Sequence, residues 1–377
     1  MKILLLGEYS NVHNTLARGL RALGHEVVVA SDGDGWKDYP RDVDLKRLSL
    51  GVASSVRYML RLVRQFRTFK GYDVVQLINP VFIHLKAERI YRFYDYLRRH
   101  NRSVVLGAFG MDHYYVKACL DFHTFRYSDF NFGSAERHSE ENDVFKCDWL
   151  HGEKGRLNRY VAADCDAIVS GLYEYDASYR NEPGLREKLH FIPFPVVSQA
   201  AVTCHLHEAG TPLRFFIGIQ KSRSVYKGTD IMWHALQRVA KERPVGCVVR
   251  KAESVPFAQY VQMMNESEVI LDQLYSYTPA MNALEAMSRG LVNVGGAEPE
   301  NYEILHEEHL RPIINVLPDE EDVYRCLLEL VDHREELFPR LQRESMEYIA
   351  KHHDYIVVAR KYEQLYRSVL EKRGHSH

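Results

Sequence analysis

The chain has 377 residues, a hydrophobic fraction of 46% and a formal net charge of −2 at pH 7. That length allows two domains of ordinary size, and the near-neutral charge argues against nucleic acid as a partner. The six cysteines form no C-x-x-C pair, which indicates free thiols in a reducing compartment.

The N-terminal run MKILLLG predicts a buried first strand. Its apolar part is too short for a signal peptide, and no small-residue cleavage site follows it. The longest apolar candidate for a membrane span, residues 74–85, is interrupted by Gln76, Asn79, Pro80 and His84. We therefore expect a cytoplasmic protein.

Apolar β-rich runs alternate with helical patterns along the chain, which predicts α/β layers built on parallel sheets. In the first half we expect strands at 3–6, 27–30, 74–77, 104–106, 167–170 and 191–193, with helices at 14–23, 54–69 and 85–99. The second half restarts the pattern, with strands at 213–217, 245–249, 269–271, 291–294 and 313–316 and helices at 228–241, 257–265, 279–289 and 319–331.

A polar, irregular stretch at 196–212 separates the two halves. We therefore predict two Rossmann-like parallel-sheet domains facing each other across a cleft, 1–200 for the acceptor and 201–377 for a nucleotide sugar. Ligands of open α/β sheets bind beyond the carboxyl ends of the strands.

The most informative stretch is TPAMNALEAMSRG at 278–290, followed by LVNVGG. Thr278 is a suitable N-cap, Pro279 suits the first helical position, and Gly290 is a natural C-terminal stop. The first turn, with Ala280 and Met281, would then offer free N–H groups to a phosphate. Glu285 lies further along the helix, where its carboxylate could accept hydrogen bonds from ribose or sugar hydroxyls.

A second informative stretch is the apolar strand FFIG at 215–218, followed by Lys221, Arg223, Lys227 and Gly228 before a helical run. Together with LEAMSRG, this strand and basic loop resemble the donor site of retaining glycosyltransferases of the GT-B fold, family 4 type. The resemblance covers most of the C-terminal half and is weaker in the N-terminal half. It implies that the Arg and Lys neutralise the donor diphosphate and that Glu285 holds the ribose. In that family, the C-terminal helix (here about 355–372) crosses back to the first domain.

The sequence departs from the family pattern at two points. The family has a second Glu eight residues before its helix Glu, and this chain has Tyr277 there. The family Arg directly follows the strand Gly, whereas here Ile219 follows Gly218 and Arg223 precedes Lys227 by four residues.

Other strand ends supply further candidate residues for the donor. Asp272, Tyr275 and Tyr277 lie between the strand at 269–271 and the helix that follows, where a tyrosine could stack on a base or bind a sugar; packing within this loop is an equally good interpretation. Arg250 follows the strand at 245–249, and the glycines at 295 and 296 would permit close approach of the backbone to a ligand. The predicted donor site therefore comprises Arg223, Lys227, Gly228, Arg250, Asp272, Tyr275, Tyr277, Pro279, Ala280, Met281 and Glu285.

The first half offers two loops after strands for the acceptor. The first contains Gly7, Glu8 and His13 and lacks the G-x-G-x-x-G spacing of dinucleotide sites. The second contains Gly110, Asp112 and His113 and resembles the region of the family that faces the acceptor. Asp112 or His113 could orient or deprotonate an acceptor hydroxyl, and a helix cap or turn is the alternative. The predicted catalytic residues are Asp112, His113 and Lys227.

The stretch at 114–149 is long, irregular and aromatic. Loops of this length in compact domains are commonly functional, and aromatic faces suit carbohydrate; a small aromatic cluster within an insertion is the alternative.

Four arginines recur at helical spacing with no acid among them, Arg57, Arg61, Arg64 and Arg67, and Leu60, Leu62, Val63 and Phe66 provide the apolar side. Such a helix can rest on an anionic membrane surface, and a basic solvated helix is the alternative.

No metal site is expected. The Asp-x-Asp pairs at 32–34 and 164–166 suggest a turn and a strand start. Cys204, His205 and His207 have ligand chemistry but lack a fourth partner, so we interpret them as surface residues of the linker.

The resemblance implies a hexosyltransferase that needs no metal and moves a sugar, with retention, from a nucleotide-diphosphate sugar to a hydroxyl of a glycan or lipid-linked acceptor. The expected setting is cell-surface polysaccharide or glycolipid biosynthesis, in the cytoplasm or peripherally on the inner membrane face. A nucleotide-sugar epimerase on the same fold and a non-catalytic nucleotide-sugar-binding partner of a transferase remain the alternatives.

Overall fold

The computed structural model describes residues 1–47, 49, 51–198, 207–220 and 223–374. Lys221, Cys204 and His205, which the sequence analysis considered, lie outside these residues. The chain divides into two compact units. Unit 1 contains Met1–Ala118, Val144–Pro195 and the chain from Tyr355 onward, and unit 2 contains Cys119–Asp143 and Val196–Asp354.

The strands of the described residues are, in chain order, β1 Lys2–Leu6, β2 Glu26–Ser31, β3 Val43–Asp44, β4 Val74–Leu77, β5 Ser103–Ala108, β6 Asn131–Phe132, β7 Ala135–Glu136, β8 Ala167–Ser170, β9 Leu189–Phe191, β10 Leu213–Ile219, β11 Cys247–Glu253, β12 Val269–Leu271, β13 Val292–Gly295 and β14 Ile314–Asn315. The central strands are continuous apolar runs, as strands covered on both faces must be. Four successive residues of β1, from Ile3 to Leu6, are fully buried.

The helices of the same residues are α1 Val12–Ala22, α2 Val52–Gln65, α3 Ala87–His100, α4 His113–Cys119, α5 Glu140–Lys146, α6 Glu153–Asp164, α7 Tyr173–Arg180, α8 Ser224–Lys227, α9 Thr229–Glu242, α10 Phe257–Asn265, α11 Met281–Ser288, α12 Pro299–Leu305, α13 Glu320–Asp332, α14 Arg334–Tyr348 and α15 Tyr355–Gly374. Local sequence explains several helix ends. The carboxylate of Asp319, for example, caps α13 by accepting from the N–H of Asp322 at 3.0 Å.

Each unit is built on one parallel sheet. Among the described residues, unit 1 has seven strands in the order β3-β2-β1-β4-β5-β8-β9, and unit 2 has five in the order β11-β10-β12-β13-β14. Every pairing within these two sheets is parallel. The predicted α/β class with two parallel sheets is therefore confirmed.

The units divide the chain differently from the predicted domains, with the boundary between Pro195 and Val196 and with two exchanged stretches. The sequence analysis assigned 1–200 to the first domain, but residues 119–143 belong to unit 2, where β6 and β7 form a small antiparallel hairpin. We call these residues the hairpin segment. The C-terminal helix α15 belongs to unit 1 and packs on α1, where the carbonyl oxygen of Tyr355 and the methyl of Ala359 leave room only for a glycine at Gly19.

Several helices and strands differ in number or in bounds from those predicted. The stretch at 114–149 is not wholly irregular, since it contains α4, the β6–β7 hairpin and α5. The last predicted strand of the first half is at β9, two residues earlier than expected, and the short β3 was not predicted. The C-terminal tail forms two helices, α14 and α15, separated by a π-helical turn at Ile349–His353. No helix of the described chain is long and apolar enough to cross a membrane.

Candidate functional site

The candidate donor site lies where two loops of unit 2 leave neighbouring strands. The chain passes from β10 to β11 on one side and then returns to β12 on the other. The order of strands therefore reverses between β10 and β12, which is where open α/β sheets bind ligands. The loop after β10 leads to Arg223 and Lys227, and the loop after β12 runs from Asp272 to Tyr277.

Backbone contacts hold these two loops together at Lys227. The carbonyl oxygen of Lys227 accepts from the N–H of Leu274 at 2.9 Å. The next residue, Gly228, has a φ of +72°, and a Cβ there would lie 2.7 Å from the Cβ of Leu274 and 2.9 Å from the ring of Tyr275. A glycine is therefore needed both for the backbone conformation and for the close approach of the second loop.

The side chains at this strand edge form a polar chain. The phenol of Tyr260 donates to Oδ1 of Asn282 at 3.0 Å, and Nδ2 of Asn282 donates to Asp272 at 2.9 Å. Burial raises the pKa of Asp272, while the nearby charge of Lys227 and the hydrogen bond from Asn282 act in the opposite direction. The carboxyl group of Asp272 is thus buried within electrostatic range of the charge of Lys227.

Helix α11 begins two residues later than predicted. It runs from Met281 to Ser288, Ala280 takes the cap position, and no side chain caps its first turn. Thr278 is therefore not the N-cap, and Pro279 is not in the first turn. Gly290 follows the helix with a φ of +83°, so the predicted stop is in place.

Glu285 lies on α11 with 32% of its side chain exposed, and its carboxylate pairs with Arg289 one turn later at 2.8 Å. One carboxylate oxygen thus makes this pair, and the side chain remains partly open to a ligand. An ion pair of this exposure contributes little to stability, so the exchange of this partner for ribose hydroxyls would cost little.

The glycine pair after β13 serves the chain's own loop and not a ligand. A Cβ at Gly296 would overlap the carbonyl oxygen of Ser276, and one at Gly295 would lie 3.2 Å from that of Gln273. These glycines let the loop of 272–277 lie directly against the end of β13. The expectation that they admit a ligand is corrected accordingly.

The two predicted arginines lie in different surroundings. Arg223 pairs with Glu141 of the hairpin segment at 3.0 Å, and its guanidinium lies 5.0 Å from the ring centre of Tyr226. Arg250 is in the middle of β11, in register with Phe216, and it pairs with Glu266 at the end of α10. Since α10 runs back to the start of β12, Arg250 points away from the carboxyl edge, and its assignment to the donor site was wrong.

The hairpin segment packs on the loop between β12 and α11. The hydroxyl of Tyr277 accepts from the backbone N–H of Arg126 at 2.7 Å, and only 1% of Tyr277 is exposed. Glu298 accepts from the guanidinium of Arg126 at 2.7 Å and from the hydroxyl of Tyr127 at 2.5 Å. Tyr277 is therefore a buried anchor of the hairpin segment, and the packing interpretation of this residue is the one the geometry supports.

The same segment contacts the other loop of the site. The guanidinium of Arg137 lies 3.2 Å from the ring centre of Tyr275 and donates to the carbonyl oxygen of Val225 at 2.7 Å. The hydroxyl of Tyr226 donates to Asp129 at 2.7 Å. Arg137 covers one face of Tyr275 and so takes the stacking position that the sequence analysis offered to a base.

In unit 1, the loop after β1 lies at the corresponding reversal of strand order, between β1 and β4. Gly7 has a φ of +87°, and a Cβ there would overlap Ile78 at the end of β4. The carboxylate of Glu8 accepts from the N–H of His13 at 3.2 Å and of Asn14 at 2.8 Å, so it caps α1. Burial raises the pKa of Glu8 to about 8.

His13 is fully buried in this loop. Its Nδ1 donates to the carbonyl oxygen of Gly7 at 2.8 Å, and among the described residues its Nε2 has no partner. Burial lowers the pKa of His13 to about 3, so the imidazole is neutral. Gly110 of the second loop admits the ring of Tyr9, since a Cβ there would lie 3.2 Å from Cε2 of Tyr9.

Asp112 and His113 begin α4 and are mainly occupied by the chain itself. Asp112 is fully buried, and its carboxylate accepts from the N–H of Tyr115 at 2.9 Å and from the hydroxyl of Tyr179 at 2.7 Å. Burial raises the pKa of Asp112 to about 6. Nδ1 of His113 donates to the carbonyl oxygen of Trp149 at 2.8 Å, and burial lowers its pKa. This geometry is that of a helix cap, and a catalytic role for either residue stays a prediction.

Sequence reasoning missed several residues that shape these sites. Tyr260 and Asn282 form the hydrogen-bonded chain to Asp272, and Arg126 and Arg137 attach the hairpin segment to the loops. The contacts of Arg126 and Arg137 join residues far apart in sequence, and those of Asn282 with Asp272 and Tyr260 span 10 and 22 positions, so no local pattern predicts them. His207 was predicted to be a surface residue, but its side chain is buried. Its Nδ1 lies 2.9 Å from the carboxylate of Glu268.

Among the described residues, no group of three or more His, Cys, Asp and Glu side chains could hold a metal ion.

No family model matches the sequence, and no curated protein is similar to it. Solved structures are similar in fold. Sucrose-phosphate synthase from Thermosynechococcus elongatus has a TM-score of 0.60 at 11% identity, over 99% of this chain and 100% of that chain. Anabaena HepE in complex with UDP and glucose has a TM-score of 0.59 at 11% identity, over 98% and 100% of the two chains.

An enzyme of another class is also similar. The UDP-GlcNAc 2-epimerase from Neisseria meningitidis, bound to UDP-GlcNAc, has a TM-score of 0.56 at 11% identity, over 97% of this chain and 99% of that chain. These similarities show that the chain has the GT-B fold, which transferases and epimerases share. At this identity they show the fold and not the family or the reaction.

Proposed function

We propose that this protein is a glycosyltransferase that moves a sugar from a nucleotide-diphosphate sugar to an acceptor hydroxyl with retention. The observation that carries the proposal is the position of Lys227. It lies where the strand order reverses between β10 and β12, beside the buried carboxyl of Asp272 and next to the loop that leads to α11. The solved structures with this fold include proteins in complex with UDP and UDP-sugars.

In the proposed reaction, the main contribution of the protein is to stabilise the charge of the leaving group. Cleavage of the sugar–phosphate bond leaves a nucleoside diphosphate, and a cation held in place before the reaction stabilises that charge without reorganisation. Lys227 supplies this cation, the first turn of α11 supplies N–H groups, and Arg223 supplies a second positive charge. Glu285 holds the ribose. The transition state is oxocarbenium-like, and the departing phosphate takes the proton of the acceptor, so the proposal includes no metal.

The acceptor is proposed to be a growing glycan or a lipid-linked saccharide of cell-surface polysaccharide or glycolipid biosynthesis, in the cytoplasm. The loops of unit 1 that contain Gly7 and Gly110 are the proposed acceptor region. The cysteines that the structure describes are free thiols, as a reducing compartment favours.

The test is a thermal-shift panel of nucleoside diphosphates and nucleotide sugars. A ligand that binds only the native state raises the midpoint of unfolding, and the rise grows with the logarithm of ligand concentration above the dissociation constant. We expect a shift with one nucleotide that is lost in Lys227→Ala and reduced in Glu285→Ala. Arg250→Ala and Glu303→Ala are the matched controls, because Arg250 pairs with Glu266 away from the strand edge and Glu303 is exposed on α12. Equal shifts in all four variants would refute the assignment of the site.

The epimerases among the similar structures favour one alternative activity. An epimerase converts a nucleotide sugar in the absence of any acceptor. Incubation of the protein with the donor that gives the largest thermal shift, followed by analysis of the sugar, distinguishes the two. A transferase is expected to return the unchanged or slowly hydrolysed donor, and a second nucleotide sugar in the product would establish the epimerase.

The anchoring of Tyr277 keeps a non-catalytic role open as well. The family position for a second Glu is filled by a side chain whose hydroxyl is bonded to Arg126. Slow donor hydrolysis that disappears in Lys227→Ala would exclude a purely binding role, whereas binding without any turnover over the range of acceptors would support it.

A further inference from the structure

The outward face of α2 is apolar. Val52, Val56, Leu60 and Val63 are exposed to 83%, 53%, 54% and 61%. The helix packs on unit 1 through its opposite face, where Tyr58 and Leu62 are buried. The sequence analysis placed Leu60 and Leu62 on one apolar side, but the structure separates them, with Leu62 inside and Leu60 outside.

The exposed apolar residues form one continuous stripe. At about 100° per residue, the four side chains fall within an arc of about 80° on the helix surface. Scattered single apolar residues on a surface need no explanation, but a contiguous stripe of this kind commonly marks an interaction surface.

Cations line one edge of the stripe. Arg64 and Arg57 follow Leu60 within about a further 60° around the helix. In the described chain, neither side chain makes an ion pair or hydrogen bond, and the same holds for Arg67 and Lys70 just beyond the helix. The stretch from 52 to 72 contains no acidic residue, so these charges are not neutralised along the helix.

We propose that α2 docks on an anionic lipid surface, with its valine and leucine stripe inserted at the headgroup boundary and Arg57 and Arg64 paired with lipid phosphates. An amphipathic helix with an apolar stripe and basic flank is the arrangement that lies in the interface plane of a membrane. The charge pattern disfavours a second copy of the chain as the occupant. A symmetric antiparallel pair of α2 helices would bring the unneutralised arginines of both copies to the same side of the contact. This inference goes beyond the proposed function and does not depend on it.

The test is flotation of the full chain with vesicles of phosphatidylcholine, with and without phosphatidylglycerol in place of a third of the lipid. We expect binding to the mixed vesicles at low salt, weak binding to phosphatidylcholine alone, and loss of binding at high salt, because surface charges are screened. Each cation near an anionic leaflet contributes roughly fivefold to partitioning. Arg57→Glu/Arg64→Glu should therefore lower binding at least tenfold.

Two matched pairs of variants separate docking from general effects. Leu60→Gln/Val63→Gln should also release the protein, whereas Leu317→Gln/Val245→Gln, which changes residues of similar type exposed to 48% and 86%, should not. Arg186→Glu/Arg343→Glu alters the net charge as much as the arginine pair on α2 does, at two other exposed positions, and should leave binding unchanged.

The result that overturns the proposal is equal binding of the α2 variants and their controls, or no binding to the mixed vesicles by the parent. Sedimentation that shows a dimer dispersed by Leu60→Gln/Val63→Gln would also overturn it in favour of self-association. Unchanged unfolding midpoints of the variants ensure that lost binding does not come from lost folding.

Discussion

The hydroxyl of Tyr277 and the backbone N–H of Arg126 are joined by a hydrogen bond of 2.7 Å, although the residues are 151 positions apart in the chain. The guanidinium of Arg126 also lies 4.7 Å from the ring centre of Tyr277. The hairpin segment is thereby fixed to the loop before α11. Tyr277 is thus an attachment point of the protein's own chain, at the position where the resemblance noted in the sequence would place a second Glu.

Tyr277→Phe removes the hydroxyl that accepts this hydrogen bond and keeps the aromatic ring. The N–H of Arg126 then loses its acceptor, which costs about 1–2 kcal/mol of stability. Because the loss is local, we expect the hairpin segment to be cleaved faster by a protease under native conditions, in addition to a lower urea midpoint.

Tyr94→Phe is the control for this variant. Tyr94 is a buried tyrosine of unit 1 whose hydroxyl donates to Asp164 at 2.8 Å. The Tyr94→Phe variant should have a lower urea midpoint of unfolding, but a protease should not cleave it faster between residues 119 and 143. Similar cleavage patterns in both variants would contradict the anchoring role of Tyr277.

Arg137→Ala should weaken nucleotide binding through the loops it contacts. Its guanidinium covers Tyr275 and bonds to the carbonyl oxygen of Val225, so its loss frees both loops of the proposed donor site. A cation–π contact of this kind contributes about 1 kcal/mol, and we expect the nucleotide dissociation constant to rise about fivefold by calorimetry.

Arg238→Ala is matched to that variant, because Arg238 also lies over a tyrosine, 4.1 Å from the ring centre of Tyr324, but on the outer surface of α9. It should leave the dissociation constant unchanged. An equal effect of the two substitutions would mean that Arg137 does not act through the loops.

The sequence predicted much of the fold because its signals are local. The bounds of α10 and β12 were predicted correctly, since each has a clear apolar pattern between polar breaks. The strand β3 was missed because two residues at a sheet edge carry no periodicity. The C-terminal helix expected at about 355–372 corresponds to α15, whereas the π-helical turn before it, which buries His352 and His353, was not predicted.

For the candidate site too, the sequence predicted the residues that belong to short motifs and missed those that depend on tertiary contacts. Lys227, Gly228 and Glu285 were identified from short motifs, and the structure places Lys227 and Gly228 where two strand-end loops meet. Arg250 was misplaced because a strand's length, and not its composition, decides whether a residue lies at its end. The attachment of the hairpin segment to unit 2 depends on tertiary contacts of Arg126 and Arg137 that no sequence period encodes.

Gly296→Ala should destabilise unit 2 strongly. The added Cβ would overlap the backbone carbonyl of Ser276, and a backbone atom cannot rotate away as a side chain can. We expect a loss of roughly 2–3 kcal/mol or more, measured by urea unfolding. Gly218→Ala should cost less, since the new Cβ would meet the hydroxyl of Tyr260, a side-chain atom, at 2.6 Å. A Gly296→Ala variant as stable as the parent would contradict the close contact between the end of β13 and the loop of 272–277.

Glu8 should give the protein a stability that falls as the pH rises. Burial raises the pKa of Glu8 from its ordinary value of 4.5 to about 8 in the folded state. A group with a raised pKa contributes its full stability below its unfolded pKa and loses it as the pH rises through the folded value. Between these limits the unfolding free energy should fall by up to about 1.4 kcal/mol per pH unit from this residue alone.

Glu8→Gln removes the titratable group and should flatten this part of the profile. Because its amide nitrogen cannot accept from the second of the two N–H groups that Glu8 caps, we expect the variant to be less stable than the parent near pH 5 and to close this gap toward pH 8, by urea unfolding at a series of pH values between these two. Glu88→Gln, at an exposed position in the first turn of α3, is the matched control and should keep the slope of the parent. A parent and a Glu8→Gln variant with parallel profiles would mean that the carboxylate is solvated in the folded protein, and α1 would then lack the buried cap that positions the loop after β1.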